Sequence, residues 1–276
     1  MEGRNDGALP VKLAGLGYHL PVGVVTSAEL DARLGVEPGW TERVTGVRER
    51  RYASGETSVG MAAAACRRAL ERAGVAPGEV DAIVGASSIP QQAIPCTAAL
   101  VQRELGAPDG GSACWDVNAT CLGFLFALQS VAHLVAAGVY RRVLVFSSEI
   151  AAHSRDPAAP ESAALFGDAA AAALVTRAAP GEASAFHAAR FATYASGADL
   201  TRIVGGGTLH HPNDPATTPE MNLFRMEGPP VLRKTARLLG PFVDDFLARA
   251  GWKREEVDVV VPHQASRAGL ELLSRV

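Results

Sequence analysis

The chain has 276 residues, of which 48% are hydrophobic, so it can build a large buried core in one or two domains. Its formal charge of −3 at pH 7 argues against a nucleic-acid-binding protein, because neutralising phosphates requires a surplus of Lys and Arg. No apolar run approaches the roughly 18 residues that cross a bilayer, and the N-terminus lacks the apolar core of a secretory signal. We therefore expect a cytoplasmic protein with no nucleic-acid or membrane partner.

Six apolar runs predict buried strands, and helical patterns lie between several of them. The predicted strands are 11–16, 82–86, 113–117, 143–146, 169–175 and 257–261, and the predicted helices are 58–73, 122–137, 230–250 and 265–275. Strands that are apolar throughout and alternate with helices indicate a sheet covered on both faces. The abundance of Ala and Gly predicts close packing of backbones in the core. The pattern as a whole predicts an α/β layered fold.

A short pattern occurs twice, 177 positions apart. Segments 72–74 (Arg-Ala-Gly) and 79–81 (Glu-Val-Asp) recur at 249–251 and 256–258. In each copy a predicted helix ends at a glycine, which suits a left-handed C-cap, and a predicted strand follows. Such a unit recurs in any α/β protein, but this number of identities at one offset favours an internal duplication.

The duplication predicts two halves of unequal length. Adding 177 to positions 100–175 gives 277–352, which lies past the last residue of the sequence. We therefore expect an N-terminal half over 1–178 and an incomplete C-terminal half over 179–276.

Four cysteines form no CxxC pair, and one of them stands in an unusual place. Cys121 falls between a predicted strand and a predicted helix, where free N–H groups and the helix dipole favour a thiolate. Gly123 allows another backbone or a ligand to approach closely. On position alone, a buried structural cysteine is an equally good interpretation. Cys66, Cys96 and Cys114 have the surroundings of structural cysteines.

His263 follows the predicted strand 257–261 and Pro262, at the start of the last predicted helix. Sites in α/β folds lie at the carboxyl ends of strands. A lone histidine there can also be structural. The presence of Cys121 at another helix start favours a shared site.

Five motifs occur in one order along the chain: Trp40 with Thr45-Gly-Val-Arg-Glu-Arg50, Asn118-Ala-Thr-Cys121-Leu-Gly123-Phe124, Phe166-Gly167-Asp168, Met226-Glu227-Gly228 and Pro262-His263-Gln264-Ala265. The ordered set resembles the ketoacyl-ACP synthase III family across essentially the whole chain. The resemblance implies an α/β fold of the duplicated thiolase-like type, layered α-β-α-β-α, with the second half apparently truncated.

The resemblance also implies a reaction. Cys121 would take an acyl group from acyl-CoA and join it to malonyl-ACP by decarboxylative Claisen condensation, giving 3-oxoacyl-ACP. His263 would hydrogen-bond the malonyl thioester oxygen together with a family asparagine, whose expected place lies past Val276. Acyl-CoA is then a substrate, and we expect no metal or other cofactor.

Further residues are implied at the substrate sites. The implied CoA contacts are Trp40, Arg43, Thr45, Arg155, Gly228, Ala265 and Ser266. The sequence departs from the family pattern at three places. Val44-Thr45 replaces a common Arg-Thr pair, with Arg43 one place earlier. His153 replaces an arginine, with Arg155 nearby, and Ser266 replaces an asparagine. We therefore expect rearranged CoA binding.

The remaining implied features concern partners. The family forms homodimers, and Ser88 and Ile94 would line acyl pockets, with Ile94 reaching the neighbour's pocket. Arg233 and Arg275 match basic positions implicated in docking the acyl carrier protein, whereas Arg237 is supported only by its spacing from Arg233.

Two other functions stay open at the level of sequence. A thiolase-fold acyltransferase or a non-decarboxylating condensing enzyme would use the same Cys121 and His263. A non-catalytic ketosynthase-like partner subunit is disfavoured, because such subunits usually lack the nucleophile.

Overall fold

A computed structural model describes residues 7–276. The chain forms two compact units. The first comprises 7–23, Arg51–Ile150 and Asp168–His187, and the second comprises Val24–Arg50, Ala151–Gly167 and Ala188–Val276. The boundary at residue 178 comes from the internal repeat and stays a prediction.

The strands and helices have the following bounds. The strands are β1 Val11–His19, β2 Gly23–Thr26, β3 Glu49–Tyr52, β4 Ala82–Gly85, β5 Ala113–Asp116, β6 Arg142–Glu149, β7 Ala169–Arg177, β8 Thr201–Arg202 and β9 Arg225–Met226. The helices are α1 Ser27–Leu34, α2 Trp40–Thr45, α3 Ser58–Ala73, α4 Thr97–Leu105, α5 Gly123–Ala136, α6 Pro160–Ala163, α7 Gly228–Ala250 and α8 Arg267–Leu273.

A five-stranded sheet of order β1-β7-β6-β4-β5 forms the centre of the first unit. β4 runs parallel to both β5 and β6, whereas β7 runs antiparallel to β6 and β1. The carboxyl ends of β4, β5 and β6 therefore meet at one edge of the sheet, where α/β folds place their sites.

Helices cover both faces of this sheet, as the apolar strands predict. α3 and α4 pack on one face around Leu70, Leu144 and Phe146. α5 packs on the other face around Val131 and Val145. The three layers bury the centres of β4, β6 and β7, whereas β1 and β5 at the two edges stay partly exposed.

Small residues let α3 lie directly on β1. A β-carbon at Gly15 would come 2.1 Å from the carbonyl oxygen of Ala69, and one at Gly17 would come 2.0 Å from that of Ala65. Any side chain at either glycine would push the helix away from the sheet. The expected close packing of backbones is thus found here.

Five of the six predicted strands are present, and the prediction for 257–261 is wrong. That segment pairs with no strand among residues 7–276, and Val259, Val260 and Val261 are 75%, 64% and 89% exposed. An apolar run becomes a strand only where a neighbouring strand offers backbone partners. The helix predicted to start at 265 also begins later, at Arg267.

The internal repeat extends to individual hydrogen bonds. Gly74 and Gly251 both cap a helix in the left-handed region, at φ 65° and 69°. The following residue donates to the carbonyl five positions earlier in both copies, at 3.0 Å. Next, the N–H of Ala76 is bound by the Glu79 carboxylate at 3.0 Å, and that of Lys253 by Glu256 at 2.9 Å. This agreement is what a duplicated fold predicts, although a strand follows only the first copy.

Candidate active site

Cys121 lies just beyond the carboxyl end of β5, in the turn that leads into α5. Val117 continues alongside β4, since its N–H donates to the carbonyl of Gly85 at 2.7 Å. The side-chain oxygen of Asn118 then accepts the N–H of Thr120 at 3.1 Å. One 3₁₀ turn, Thr120–Leu122, carries the cysteine into solvent before α5 begins at Gly123.

The turn contains backbone strain. Thr120 has φ 49°, the only positive φ at a non-glycine residue in the part of the chain described. A β-branched residue in this region costs about 1–2 kcal/mol, and such strain is typically found at functional sites. The strained turn presents the Cys121 side chain to solvent at the start of a helix.

Gly123 places the start of α5 against the end of β4. A β-carbon there would lie 2.6 Å from the carbonyl oxygen of Ala86, a distance that side-chain carbons do not reach. The glycine therefore sets how close Cys121 lies to the sheet edge. The sequence predicts that Gly123 lets another backbone approach closely, and the backbone of Ala86 does so.

The loop after β4 is anchored next to this edge. The N–H of Ser88 donates to the Glu149 carboxylate at 2.5 Å, and Gln91 accepts the N–H of Val59 at 2.9 Å. Burial raises the pKa of Glu149, although the hydrogen bonds from Ser88 oppose that shift. Ile94, further along, is 84% exposed. The loop thus leaves Ile94 free to meet another surface.

The other three cysteines lie in different surroundings. Cys66 is fully buried in α3, and burial raises the pKa of its thiol. Burial also raises the pKa of Cys114 to about 11. Cys96 is half-buried at the N-cap of α4, so Cys121 alone is exposed.

His263 is exposed and lies three residues before the N-cap of α8. Its ring makes no hydrogen bond or ion pair within residues 7–276. Cys121 belongs to the first unit and His263 to the second. Their close approach, within roughly 8 Å, stays a prediction, because catalytic groups that share a substrate must lie near contact.

Comparison with known proteins identifies the family. Residues 115–195 match the model for 3-oxoacyl-[acyl-carrier-protein] synthase III. The beta-ketoacyl-[acyl-carrier-protein] synthase III 3 of Streptomyces coelicolor is 34% identical over 258 residues, which are 92% of this chain and 76% of that protein. The chain belongs to the 3-oxoacyl-ACP synthase III family.

Other similar proteins agree on the fold and add one point about substrates. The crystal structure of the synthase III from Aquifex aeolicus has a TM-score of 0.84 and 32% identity, covering 96% of this chain and 80% of that one. This likeness confirms the thiolase-like α/β fold. A protein of Streptomyces sp. strain CL190 named acetoacetyl CoA synthase is 34% identical over 94% of this chain and 78% of its own length.

The synthase III residues predicted to contact CoA near α2 are already partly engaged. The buried Thr45 hydroxyl donates to the carbonyl of Thr41 at 2.7 Å and accepts from Arg50 at 2.9 Å. Arg43 is exposed and forms an ion pair with Glu37. Trp40, the first residue of α2, is half-buried. Thr45 thus stabilises its own turn, and CoA contacts of all three stay predictions.

The predicted CoA contacts outside α2 differ in whether they already make hydrogen bonds within the protein. Ser266 caps α8, because its hydroxyl accepts the N–H of Gly269 at 3.1 Å, and this capping role was not foreseen. Arg155 donates to the carbonyl of Ala152 at 3.1 Å. Gly228 begins α7, and Ala265 is exposed at a bend.

The predicted docking arginines are available to a partner. Arg233 and Arg275 are exposed, and neither side chain has an ion pair or hydrogen bond within the described residues. By contrast, Lys234 donates to Ser196 at 2.7 Å, and Arg267 pairs with Glu271 at 2.9 Å. Free cations suit a transient electrostatic partner better than paired ones.

Sequence reasoning missed the acidic residues at the strand ends. Asp116, the last residue of β5, accepts the N–H groups of Thr97 and Ala98 at the start of α4. Glu149 ends β6 and holds Ser88. Asp168, already part of the Phe166-Gly167-Asp168 motif, directly precedes β7 and accepts the N–H of Ala53 at 2.9 Å. Asp116 directly follows Ala113-Cys114-Trp115, and Glu149 lies three residues after Phe146, so an acidic residue at the end of a predicted strand is the signal that points to such roles.

Within residues 7–276, no group of three or more His, Cys, Asp or Glu residues lies close enough to hold a metal ion. No helix in this part of the chain is both long and apolar enough to span a membrane.

Proposed function

We propose that this synthase III moves an acyl group from acyl-CoA to Cys121 and condenses it with malonyl-ACP to 3-oxoacyl-ACP and CO2. The exposed Cys121 at the head of α5, in a chain of this family, carries the proposal. Acyl-CoA and the acyl carrier protein are then its partners.

The first half-reaction uses the thiolate of Cys121. It attacks the thioester carbon of acyl-CoA, the acyl–sulfur bond forms, and CoA leaves as a thiol with the proton that Cys121 gave up. The exposed position of Cys121 at the head of α5 lets the thioester of acyl-CoA reach its sulfur. No external oxidant, reductant or metal enters the step.

The second half-reaction forms the carbon–carbon bond. Malonyl-ACP loses CO2, and the electron pair of the broken bond becomes an enolate that attacks the acyl group on Cys121. The cysteine leaves as a thiolate. A donor at the malonyl thioester oxygen stabilises the developing charge, which is often the largest single catalytic contribution. The exposed ring of His263, which has no partner within residues 7–276, is suited to that role.

A second acceptor is supported by one comparison. A relative at 34% identity carries the name acetoacetyl CoA synthase, so that protein is named for a CoA-bound product. Malonyl-CoA would then replace malonyl-ACP in the second half-reaction, with the same Cys121 and His263. Arg233 and Arg275, exposed and without a side-chain partner among the residues described, favour the carrier-protein acceptor.

The proposed enzyme is a homodimer in the cytoplasm and needs no cofactor. The 84% exposure of Ile94, on a loop anchored by two part-buried hydrogen bonds, supports a second copy as the surface that covers it. Light scattering measures the mass directly. A monomer would remove Ile94 from the proposed acyl pocket.

One experiment separates these functions. The protein is mixed with a panel of acyl-CoAs and either malonyl-ACP or malonyl-CoA, and mass spectrometry follows acyl-Cys121 and product. We expect acyl-enzyme formation and 3-oxoacyl-ACP, both lost in Cys121→Ser. Product only with malonyl-CoA supports the second acceptor, and acyl transfer without CO2 release supports an acyltransferase. No labelling of Cys121 at all contradicts all three functions.

A further inference from the structure

A basic cavity lies in the first unit, at the end of the sheet opposite to Cys121. Its volume is about 710 Å³, within the usual range of small-molecule sites. β6 runs eight residues from this end to the Cys121 end, a span of roughly 23 Å at 3.3 Å per residue. The charged side chains in its lining are Lys12, Arg72, Arg141, Arg142, Arg177 and Glu182.

The floor of the cavity is a polar row across three strands. Thr176 of β7 pairs with Lys12 of β1 on one side and with Arg142 of β6 on the other. Paired residues point to the same face of a sheet, so two cations flank one hydroxyl, with strands about 4.8 Å apart. Leu144 and Leu174, the next residues inward on this face, lie in the core beneath α3. α3 ends at Ala73 and leaves the polar row uncovered.

Two arginines in the lining have no carboxylate partner within residues 7–276. Arg72 donates to the carbonyl of Leu16 at 2.8 Å, and Arg177 donates to that of Ala136 at 2.7 Å. A guanidinium has five N–H donors, and one carbonyl leaves most of them unused. Both side chains are therefore held in place and can still bind an anion.

The other cations are only partly neutralised. Lys12 pairs with Glu182 at 2.8 Å, Arg142 with Glu79 at 3.3 Å, and Arg141 with Asp81 at 3.8 Å. Glu182 is the only carboxylate in the lining, against five cations. A local positive surplus in a chain of net charge −3 concentrates anions in the concavity.

We propose that this cavity binds a small polyphosphate anion, with the chemistry of a phosphoanhydride, at a site separate from Cys121. Guanidinium groups match phosphate oxygens in bidentate geometry. Arg72 supplies one such group on the α3 face, with the Lys12–Thr176–Arg142 row, and Arg177 supplies another at the end of the sheet from the α5 face. The concave shape favours a small anion over the convex surface of an acidic protein.

Titration calorimetry with inorganic pyrophosphate on the intact chain tests the site. Measurements at about 20 mM and about 150 mM salt bracket the range over which screening acts. We expect one site with a submillimolar Kd at low salt. Arg72→Gln and Arg177→Gln should each weaken binding by roughly tenfold, as for loss of a charged hydrogen bond. The control Arg103→Gln removes an exposed cation outside the lining that has no side-chain partner in residues 7–276, and it should change Kd less than twofold.

Further titrations identify which diphosphate compound binds, and thermal melting tests whether each variant is folded. ADP and CoA share the diphosphate, and the CoA arm is repeated with Arg43→Ala to remove a predicted contact of the substrate site. Arg142→Gln replaces Arg177→Gln if thermal melting shows that variant to be unfolded. No heat with pyrophosphate, equal weakening by Arg103→Gln, or binding of carrier protein in place of pyrophosphate would overturn the proposal.

Discussion

The carboxylate of Asp116 accepts the backbone N–H of Thr97 at 2.7 Å, and its second oxygen accepts that of Ala98 at 2.9 Å. The last residue of β5 thus does for α4 what an N-cap side chain does, while the actual N-cap residue, Cys96, makes no such bond. The strand that leads to Cys121 and the helix after the Ile94 loop are thereby joined.

Replacing Asp116 by Ala should destabilise the protein. It leaves two N–H groups at the start of α4 without an acceptor, and loss of a cap costs about 1–2 kcal/mol. Thermal melting should show a lower Tm than wild type. Asp109→Ala, in an exposed turn, is the control and should melt as wild type does. A wild-type Tm for Asp116→Ala would show that the cap contributes nothing.

Replacing Gly123 by Ala should reduce acylation of Cys121 by about a hundredfold. The added carbon would lie 2.6 Å from the Ala86 carbonyl, so the head of α5 must move, and a misplacement of about 1 Å can cost that much rate. Gly207→Ala is the control, since nothing lies within 4 Å of its added carbon and its φ is not left-handed. It should acylate normally. Unchanged acylation in Gly123→Ala would remove the glycine from any role in placing Cys121.

The sequence predicts features that depend on neighbouring residues and misses those that depend on distant ones. The bounds 58–73 for α3 were predicted correctly because a Thr57 cap and a Gly74 stop are local signals. The prediction of a strand at 257–261 is wrong because a strand depends on a partner that is distant in sequence. Thr120's strained φ and the Asp116 and Glu149 contacts were missed because they exist only once β4, β5 and β6 lie side by side.

Glu149 should make the protein less stable as the pH rises above the ordinary carboxyl pKa. Burial raises the pKa of this group in the folded state, so between the unfolded and folded values the native state holds the proton more tightly. Stability contributed by the protonated form is therefore present below that window and is lost across it. Thermal melting of wild type and Glu149→Gln from about pH 4 to pH 8 gives the difference in stability at each pH. The other carboxyl groups contribute equally to both proteins and drop out of that difference. A parallel pair of curves would contradict the raised pKa.

Cys121 should be the only cysteine that becomes acylated by acyl-CoA. Burial keeps Cys66 and Cys114 as thiols at neutral pH, whereas Cys121 is exposed at a helix start. Peptide mass spectrometry after brief exposure to acyl-CoA locates the label. Cys121→Ser should carry none, and Cys96→Ser should label like wild type. Label on Cys66, Cys96 or Cys114 would make the assignment of the nucleophile wrong.

Reversing the charge at Arg233 should weaken only the step that uses malonyl-ACP. The carrier protein is acidic, and Arg233 is an exposed cation on α7 with no partner within the described residues. We expect Arg233→Glu to raise the KM for malonyl-ACP several-fold at about 20 mM salt and less at about 150 mM, where screening is stronger. Acylation of Cys121 by acyl-CoA should stay unchanged, because that half-reaction needs no carrier. Arg103→Glu changes the net charge equally on α4 and should leave both steps as in wild type. Equal loss in both half-reactions of Arg233→Glu would indicate damage to the fold or active site, and Arg233 would then have no docking role.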